Sequence, residues 1–306
     1  MSLLAVLTNI YLRHNFKPRA GAALRVSAVR AKVAAMLERQ PPVPADIHCT
    51  PVPAEGRFCA AEWFDTGEPQ VTVMYLHGGG YFFGNIETHR PVCAYLSRVA
   101  RARVLSLDYR LAPEHFFPAA VDDALDWYRQ LLTQVPASRL VIGGDSAGGG
   151  LALACLLAAR AEGLPMPAAT VLFSPWVDLA CSGDTLRTLA RADVMLTPDS
   201  MQQAAALYLN GRAPTDPLAS PLYADLGGLP PMLICASRHE ILLSDATRLH
   251  ARAQGAGVRS TLSLRSRVPH AWPTMVMLAE ARVTLRETAA FIGTLTRNAD
   301  QLVHQF

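Results

Sequence analysis

The sequence has few of the features that mark a nucleic-acid-binding or membrane-spanning protein. Its 28 basic and 25 acidic residues leave a net charge of only +3, and no block of lysine or arginine appears. Nothing therefore indicates a nucleic-acid partner. The longest apolar run, near residues 147–159, is well short of the roughly 20 residues that a transmembrane helix needs. We expect a protein with neither a nucleic-acid partner nor stable membrane insertion.

The cysteines also lack a functional pattern. The six cysteines form no C-x-x-C pair and no metal-ligand spacing with histidine, so no metal site is predicted. Cys155 and Cys235 fall in apolar runs and are predicted to be small core residues. The amino terminus lacks the basic start and the A-x-A cleavage site of a signal peptide. These features together predict a reduced, cytoplasmic protein.

The 306 residues contain an alternation of strand-like and helix-like segments. Strands are predicted at 57–64, 71–76, 104–107, 139–142, 170–173, 232–236 and 259–264, and helices near 90–100, 119–132, 151–159, 245–253 and 274–295. Strands that alternate with helices predict an α/β fold with a largely parallel sheet. The last strand should lie at an edge of that sheet, where self-pairing into a homodimer is possible.

Two segments interrupt the alternation. Residues 1–45 carry two amphipathic helices followed by a proline-rich connector, and residues 181–217 form an unusually long connection that we interpret as a helical insertion. We expect both to form a cap over a catalytic domain made of residues 46–306. The apolar stripes that should face the active-site rim are Leu3, Leu7 and Ile10 in the first helix and Val26, Val29, Val33, Met36 and Leu37 in the second.

A short glycine-rich stretch provides the first candidate for chemistry. Gly144-Asp145-Ser146-Ala147-Gly148 matches G-x-S-x-G and lies between a predicted strand and a predicted helix. In such a turn the serine backbone is strained, and strand and helix approach so closely that only glycine fits on either side. A glycine-rich turn that merely contains a serine is the alternative. The context nevertheless favours Ser146 as a nucleophile.

A second motif, His77-Gly78-Gly79-Gly80, directly follows the strand at 71–76. Glycines let the backbone point several N–H groups into one concavity, and acyl transfer needs such donors because the carbonyl oxygen becomes an oxyanion. HGGG is itself a known lipase and esterase motif. The candidate donors are the N–H groups of Gly79, Gly80 and Ala147. A flexible hairpin turn is the alternative.

The general base is predicted to be His270, in the loop between the last strand and the last helix. It follows Ser146 in the chain, as the order of this type of triad requires. Its rival His239 is adjacent to a candidate acid, and neighbouring side chains on an extended segment point apart.

Two acids follow strands after the serine and could orient this histidine. Glu240 follows the later strand, which is the usual source of the triad acid, and Asp178 is the alternative. Asp245 is better explained as an acidic residue in the first turn of a helix. Asp145 is too close to the serine along the chain.

Several motifs together resemble the hormone-sensitive-lipase family of α/β-hydrolases, also called bacterial esterase family IV. They are His77-Gly78-Gly79-Gly80-Tyr81, Asp108-Tyr109-Arg110-Leu111-Ala112-Pro113-Glu114-His115, Gly144-Asp145-Ser146-Ala147-Gly148-Gly149, Ser174-Pro175-Trp176 and Glu240-Ile241-Leu242-Leu243-Ser244-Asp245. The chain departs from the family where Glu240 replaces the more frequent aspartate and where His270-Ala271-Trp272 replaces His-Gly-Phe. The resemblance implies an eight-stranded α/β-hydrolase fold, an N-terminal cap, dimers through the last strand, and no metal or organic cofactor.

The function expected from these motifs is that of a serine carboxylesterase acting on short-chain acyl esters of small molecules. Bulky residues near the motifs, Tyr81, Phe82 and Trp176, are predicted to contact the substrate. Asp108-Tyr109-Arg110 and Glu114-His115 are predicted to form a buried polar network that supports the oxyanion loop. A lactonase or amidase would use the same triad. A non-catalytic receptor, such as the plant gibberellin receptors that resemble this family, would lack a working histidine.

Overall fold

The computed structural model describes residues 2–19, 21–38 and 40–303, with side chains as far as residue 295. The strands form one sheet in the order β1-β2-β4-β3-β5-β6-β7-β8. Their bounds are β1 (His48–Val52), β2 (Ala61–Asp65), β3 (Val71–Leu76), β4 (Ala102–Leu107), β5 (Leu140–Asp145), β6 (Ala169–Phe173), β7 (Met232–Ser237) and β8 (Ser260–Arg265). The β1–β2 and β2–β4 pairs are antiparallel and the remaining pairs are parallel.

Helices cover both faces of this sheet. The helices of the described residues are α1 (Leu3–Asn15), α2 (Val26–Leu37), α3 (Ile86–Ala100), α4 (Ala119–Leu132), α5 (Ala147–Ala161), α6 (Thr185–Thr188), α7 (Pro198–Leu209), α8 (Leu243–Gly255) and α9 (Ala279–Val303). The core on one face contains residues of α4, α5 and α8, and the core on the other contains residues of α3 and α9. No helix in the described ranges is long and apolar enough to cross a membrane.

The predicted α/β-hydrolase architecture is confirmed. Every residue of β3, β5, β6 and β7 is buried, which explains why these strands appear in the sequence as continuous apolar runs. The last strand, β8, lies at a sheet edge as predicted. Cys155 and Cys235 are buried core residues, also as predicted.

Three elements differ most from the sequence prediction, whereas the other strands and helices differ from it by a few residues at their ends. The first strand, β1, was not predicted, because it is an exposed edge strand with no apolar alternation. The strand predicted from residue 57 begins only at Ala61, because Glu55 and Phe58 pair with each other in a tight bridge. The last helix begins at Ala279 rather than at residue 274, since residues 272–274 form a separate 3-10 turn.

The prediction that the apolar stripe of α1 is buried is wrong. Leu3, Leu7 and Ile10 are 74%, 54% and 51% exposed, and the buried side chains of this helix are Ala5 and Leu12 on the opposite side. Amphipathicity identifies a face of a helix but not the direction in which that face points. In α2 the stripe does turn inward, because Val29, Val33, Met36 and Leu37 line the main cavity of the protein.

Candidate active site

The turn between β5 and α5 has the geometry of a nucleophile elbow. Ser146 has φ 52° and ψ −121°, a strained conformation for a residue with a side chain. A Cβ atom on Gly144 or Gly148 would lie 2.3 Å or 2.0 Å from the carbonyl oxygen of Leu76 at the end of β3. The two glycines are therefore required by close packing of strand against helix, as the sequence predicted.

The glycine-rich loop after β3 folds beside this serine. Gly79 and Gly80 have φ values of +124° and +59°, and the N–H groups of Phe82 and Phe83 both donate to the carbonyl of Gly79. A Cβ atom on Gly79 would lie 1.9 Å from the carbonyl oxygen of Phe83, so the turn excludes any larger residue. Gly79 and Gly80 line the main cavity together with Ser146.

The amides proposed for the oxyanion hole are available. Within the described part of the chain, no carbonyl or side chain accepts a hydrogen bond from the N–H of Gly79, Gly80 or Ala147. Unused N–H groups next to a serine at a helix amino terminus can donate hydrogen bonds to a developing oxyanion and so stabilise its negative charge.

A buried histidine and carboxylate form the second half of the site. His270 Nδ1 lies 2.6 Å from Glu240 Oε2, with the two side chains 4% and 1% exposed. The other carboxylate oxygen accepts the N–H of Ser237, which fixes the Glu240 side chain. Since Nδ1 donates to Glu240, the neutral imidazole has an unprotonated Nε2 that can accept a proton. His270 lines the same cavity as Ser146.

The charge of Glu240 also sets the proton affinity of the histidine. Burial by itself lowers the pKa of His270, but the hydrogen bond and negative charge of Glu240 outweigh it and leave that pKa above its ordinary value. His239, the alternative base, has a different partner, because its Nδ1 accepts a hydrogen bond from the N–H of Arg267. Of these two histidines, His270 is therefore the one whose imidazole pairs with Glu240.

The alternative acids occupy other networks. Asp178 forms an ion pair with Arg248 at 2.8 Å and accepts hydrogen bonds from Tyr223 and Ser182. Asp245 lies in the first turn of α8, as expected, but it is also fully buried, and its Oδ2 accepts the N–H groups at residues 177 and 178. Burial raises the pKa of Asp245 to about 8, so this carboxyl is largely neutral at pH 7. Glu240 is thus the candidate acid that contacts the histidine.

Asp145 has a role that the sequence did not reveal. Its Oδ1 accepts hydrogen bonds from the Tyr75 hydroxyl at 2.9 Å and the Gly78 N–H at 3.2 Å, and it lies 3.1 Å from His89 Nε2. Burial favours the neutral acid, but the contacts with His89 and Tyr75 outweigh it and lower the pKa of Asp145. The carboxylate therefore holds the start of the oxyanion loop against the nucleophile strand. In the sequence, the only indication of this role is an aspartate directly before the serine of the G-x-S-x-G motif.

The Asp108 to His115 segment supports the loop less directly than predicted. The Tyr109 hydroxyl donates to the carbonyl of His77, and Arg110 pairs with Asp123 of α4. The prediction that the whole network is buried is wrong. Asp108, Arg110, Glu114 and His115 are solvent-exposed, because this segment runs along the surface between β4 and α4.

Arg30 of α2 is a further residue that the sequence analysis missed. Its Nε donates to the carbonyl of Phe82 at 2.8 Å, its Nη2 donates to the carbonyl of Ala112 at 2.9 Å, and the guanidinium pairs with Glu114. The N-terminal segment is therefore fastened directly to the oxyanion loop. The local sequence pattern around Arg30 gives no indication of a contact with residues so distant along the chain.

The main cavity has a volume of about 1000 Å³. Its lining includes Gly79, Gly80, Phe82, Ser146 and His270, together with apolar residues of α2 and α7. No cluster of histidine, cysteine, aspartate or glutamate suited to a metal ion occurs among the described residues.

Two of the predicted substrate contacts do not reach this cavity. Phe82 lines it, but Tyr81 and Trp176 are completely covered and are not part of the lining. The Tyr81 ring stacks on Tyr208 at 3.8 Å, and the Trp176 indole donates to the carbonyl of Asp178. Being close to a motif in the sequence did not determine whether these rings face the cavity or the core. Both rings pack in the hydrophobic core.

Comparisons with known proteins agree with this geometry. Residues 73–297 match a family described by its alpha/beta hydrolase fold. The chain is 42% identical over 241 residues to an acetyl-hydrolase of Streptomyces hygroscopicus, covering 78% of this chain and 81% of the relative. It is 35% identical to an esterase of Acinetobacter venetianus, covering 73% and 75% of the two chains.

Solved structures extend the similarity to nearly the whole chain. An esterase from the bacterial hormone-sensitive lipase family superimposes with a TM-score of 0.90 at 38% identity, covering 97% of this chain and 99% of that chain. An esterase/lipase from an uncultured bacterium gives a TM-score of 0.90 at 40% identity, covering 97% and 100%. The chain therefore belongs to the hormone-sensitive-lipase family of the α/β-hydrolase fold and is a carboxylic ester hydrolase.

Proposed function

We propose that the protein is a serine carboxylesterase that hydrolyses short-chain acyl esters through an acyl-enzyme intermediate. The observation that carries this proposal is the buried contact between His270 and Glu240 in the same cavity as the strained Ser146. Nucleophile, base and orienting acid occur in the roles that the serine triad requires. Related proteins with esterase names support the same chemistry.

In the proposed reaction, Ser146 Oγ attacks the ester carbonyl carbon while His270 Nε2 takes the hydroxyl proton. The carbonyl oxygen becomes an oxyanion that accepts hydrogen bonds from the amides of Gly79, Gly80 and Ala147. The bond to the leaving alcohol then breaks, and His270 returns the proton to the alcohol oxygen. Water repeats both steps on the acyl-enzyme. Glu240 stays ionised and stabilises the imidazolium throughout.

We further propose that residues 1–45 and 181–217 form a cap over this site. Supporting this, side chains of α2, including Val33 and Met36, line the cavity together with Met195 and Met201 from the insertion. Apolar walls favour a substrate with an apolar acyl or alcohol group.

The site should also prefer esters with short acyl chains. A cavity of about 1000 Å³ is at the upper end of small-molecule sites, so its total volume does not impose a tight limit. We assign the limit to Phe82 and Phe83, which line the cavity next to the oxyanion loop. The 42% identical relative is named for acetyl hydrolysis, which agrees with a small acyl group.

A nitrophenyl ester series tests both parts of the proposal. We expect kcat/KM to rise with chain length while each buried methylene contributes about 0.8 kcal/mol and to fall once the chain meets the wall. The family resemblance puts the expected optimum at about four to six acyl carbons. Phe82→Ala should move the optimum to longer chains, and Ser146→Ala should abolish turnover at every length. Activity that rises steadily to palmitate would contradict the acyl limit. An inactive wild-type protein, or activity on anilides alone, would contradict ester hydrolysis, and activity on lactones alone would contradict action on open-chain acyl esters.

A further inference from the structure

The first helix is attached to the protein by its polar side. Asn9 Nδ2 donates to the carbonyl of Arg267, and two guanidinium nitrogens of Arg13 donate to the carbonyls of Arg191 and Ala192. At the start of the helix, the backbone and hydroxyl of Ser2 donate to the Glu280 carboxylate. These contacts tie α1 to α9, to the loop that carries His270, and to the insertion, so its orientation is fixed.

The opposite side of α1 is apolar and faces solvent. Its exposed members, 45% to 74% accessible, are Leu3, Leu4, Leu7, Ile10 and Tyr11. Spacings of three and four residues place all five on one side of the helix. An apolar helix face is ordinarily buried, so a contiguous exposed one indicates an interaction surface.

The charge of the N-terminal segment indicates the kind of partner that fits the apolar face of α1. The first 37 residues contain six lysine and arginine residues and no acidic residue, whereas from Glu38 onward 25 acidic residues outnumber 22 basic ones. Arg13, Lys17 and Arg30 donate to carbonyl groups of the protein, and Arg19, Arg25 and Lys32 are exposed. The Lys32 ammonium lies 5.5 Å from the ring of Phe16, so basic charge of α2 lies beside the carboxyl end of α1.

We propose that α1 and the segment after it, residues 2–19 and 21–37, dock on an anionic lipid bilayer, with the apolar face of α1 inserted among the headgroups. An amphipathic helix binds at a membrane interface through its apolar area, and neighbouring basic residues add attraction to anionic lipid. A second copy of this chain is a poorer occupant, because pairing two such faces would bring two acid-free basic segments together.

Docking in this way would place one wall of the cavity about one helix diameter, about 10 Å, from the bilayer, because that wall is formed by the side of α1 opposite its apolar face. Leu12 and Phe16 of the same segment line the cavity, and so do the exposed side chains of Met36 and Met277 at its rim. An ester that has partitioned into the interface could then reach Ser146 along an apolar path. This consequence uses the proposed function, but the docking itself does not depend on it.

Vesicle flotation tests the docking directly. The full chain carrying Ser146→Ala, which cannot consume ester, is mixed with phosphatidylcholine vesicles with or without phosphatidylglycerol. We expect flotation with the anionic vesicles at low ionic strength, no flotation with the neutral vesicles, and progressive release as salt is added. Absence of binding to anionic vesicles at low salt would overturn the proposal.

Three sets of substitutions locate the surface. Leu3→Gln, Leu7→Gln and Tyr11→Gln together should abolish flotation, and glutamine is chosen because it has a high helix propensity. Arg19→Gln with Arg25→Gln should weaken partitioning about 30-fold, since each basic residue near the bilayer is worth about a factor of five. The matched control, Arg212→Gln with Arg259→Gln, removes the same charge elsewhere and should bind normally.

The remaining outcomes are also decisive. If the control pair weakens flotation as much as the N-terminal pair, binding follows net charge and the proposed surface is wrong. If instead the parent protein binds no vesicles and is a dimer in light scattering, and the triple glutamine substitutions convert it to a monomer, the apolar face packs against a second copy of the chain. Hydrolysis of a soluble nitrophenyl ester by the triple glutamine variant with Ser146 intact should be unchanged, which separates failed docking from failed catalysis.

Discussion

Replacing Arg30 by methionine should lower kcat much more than it changes KM. The substitution keeps the aliphatic length and helix propensity but removes the donors to the Phe82 and Ala112 carbonyls. Phe82 lies in the turn that begins at Gly79, where the N–H of Phe82 donates to the Gly79 carbonyl. Releasing Phe82 should loosen the amides that receive the oxyanion without altering the rest of the cavity.

The size of the effect follows from exposure and from the distance to the chemistry. The Arg30 side chain is 34% exposed, so we assign about 1 kcal/mol to each carbonyl hydrogen bond, or about 2 kcal/mol of folding stability. Complete loss of one oxyanion donor costs about 10² to 10³ in kcat, and a donor that is only displaced should cost about tenfold.

Glu114→Gln is the matched control. It removes the ion pair with Arg30 but leaves both carbonyl contacts, and its carboxylate is 55% exposed, so we expect a loss below about 1 kcal/mol and nearly wild-type kcat. Steady-state kinetics on nitrophenyl butyrate and urea unfolding measure both effects. A normal kcat in Arg30→Met would refute the coupling between α2 and the oxyanion loop. An equal loss in both variants would show that the ion pair, rather than the carbonyl contacts, is responsible.

Other parts of the site are open to similar tests. Glu240→Gln should reduce kcat by about 10⁴, as for a serine protease triad, and should shift the acidic limb of the pH profile downward, because the remaining His270 loses the carboxylate that raises its pKa; Asp178→Asn should mainly lower stability, and the reverse ranking would identify Asp178 as the acid. Deleting residues 1–40 should lower activity and expose the apolar cavity, whereas an unchanged chain-length profile would argue against a cap. The edge strand Ser260–Arg265 should support dimers at micromolar concentration, which a monomer mass in light scattering would contradict.

The sequence predicted well those features that local chemistry determines. The parallel strands appear as apolar runs because both faces of β3, β5, β6 and β7 are covered. The elbow could be predicted because its glycines are required by contact with Leu76. Glu240 was preferred over Asp178 because of the strand that it follows, and the structure brings Glu240 and not Asp178 to His270.

The features that the sequence left open depend on contacts between distant segments. A helical stripe does not reveal whether it turns inward, and α1 and α2 turn theirs in opposite directions. Tyr81 and Trp176 belong to two of the motifs but pack in the core, outside the cavity lining. Arg30 reaches the oxyanion loop from more than fifty positions away, and only the folded arrangement brings them together.

Active-site labelling tests the central role of Ser146 most directly. The protein would be treated with diethyl nitrophenyl phosphate, and the modified peptide identified by mass spectrometry. The proposed mechanism predicts one diethylphosphate per chain on Ser146, loss of esterase activity in proportion to labelling, and no labelling of Ser146→Ala. Stoichiometric labelling of another serine, or full activity after Ser146 is modified, would contradict it.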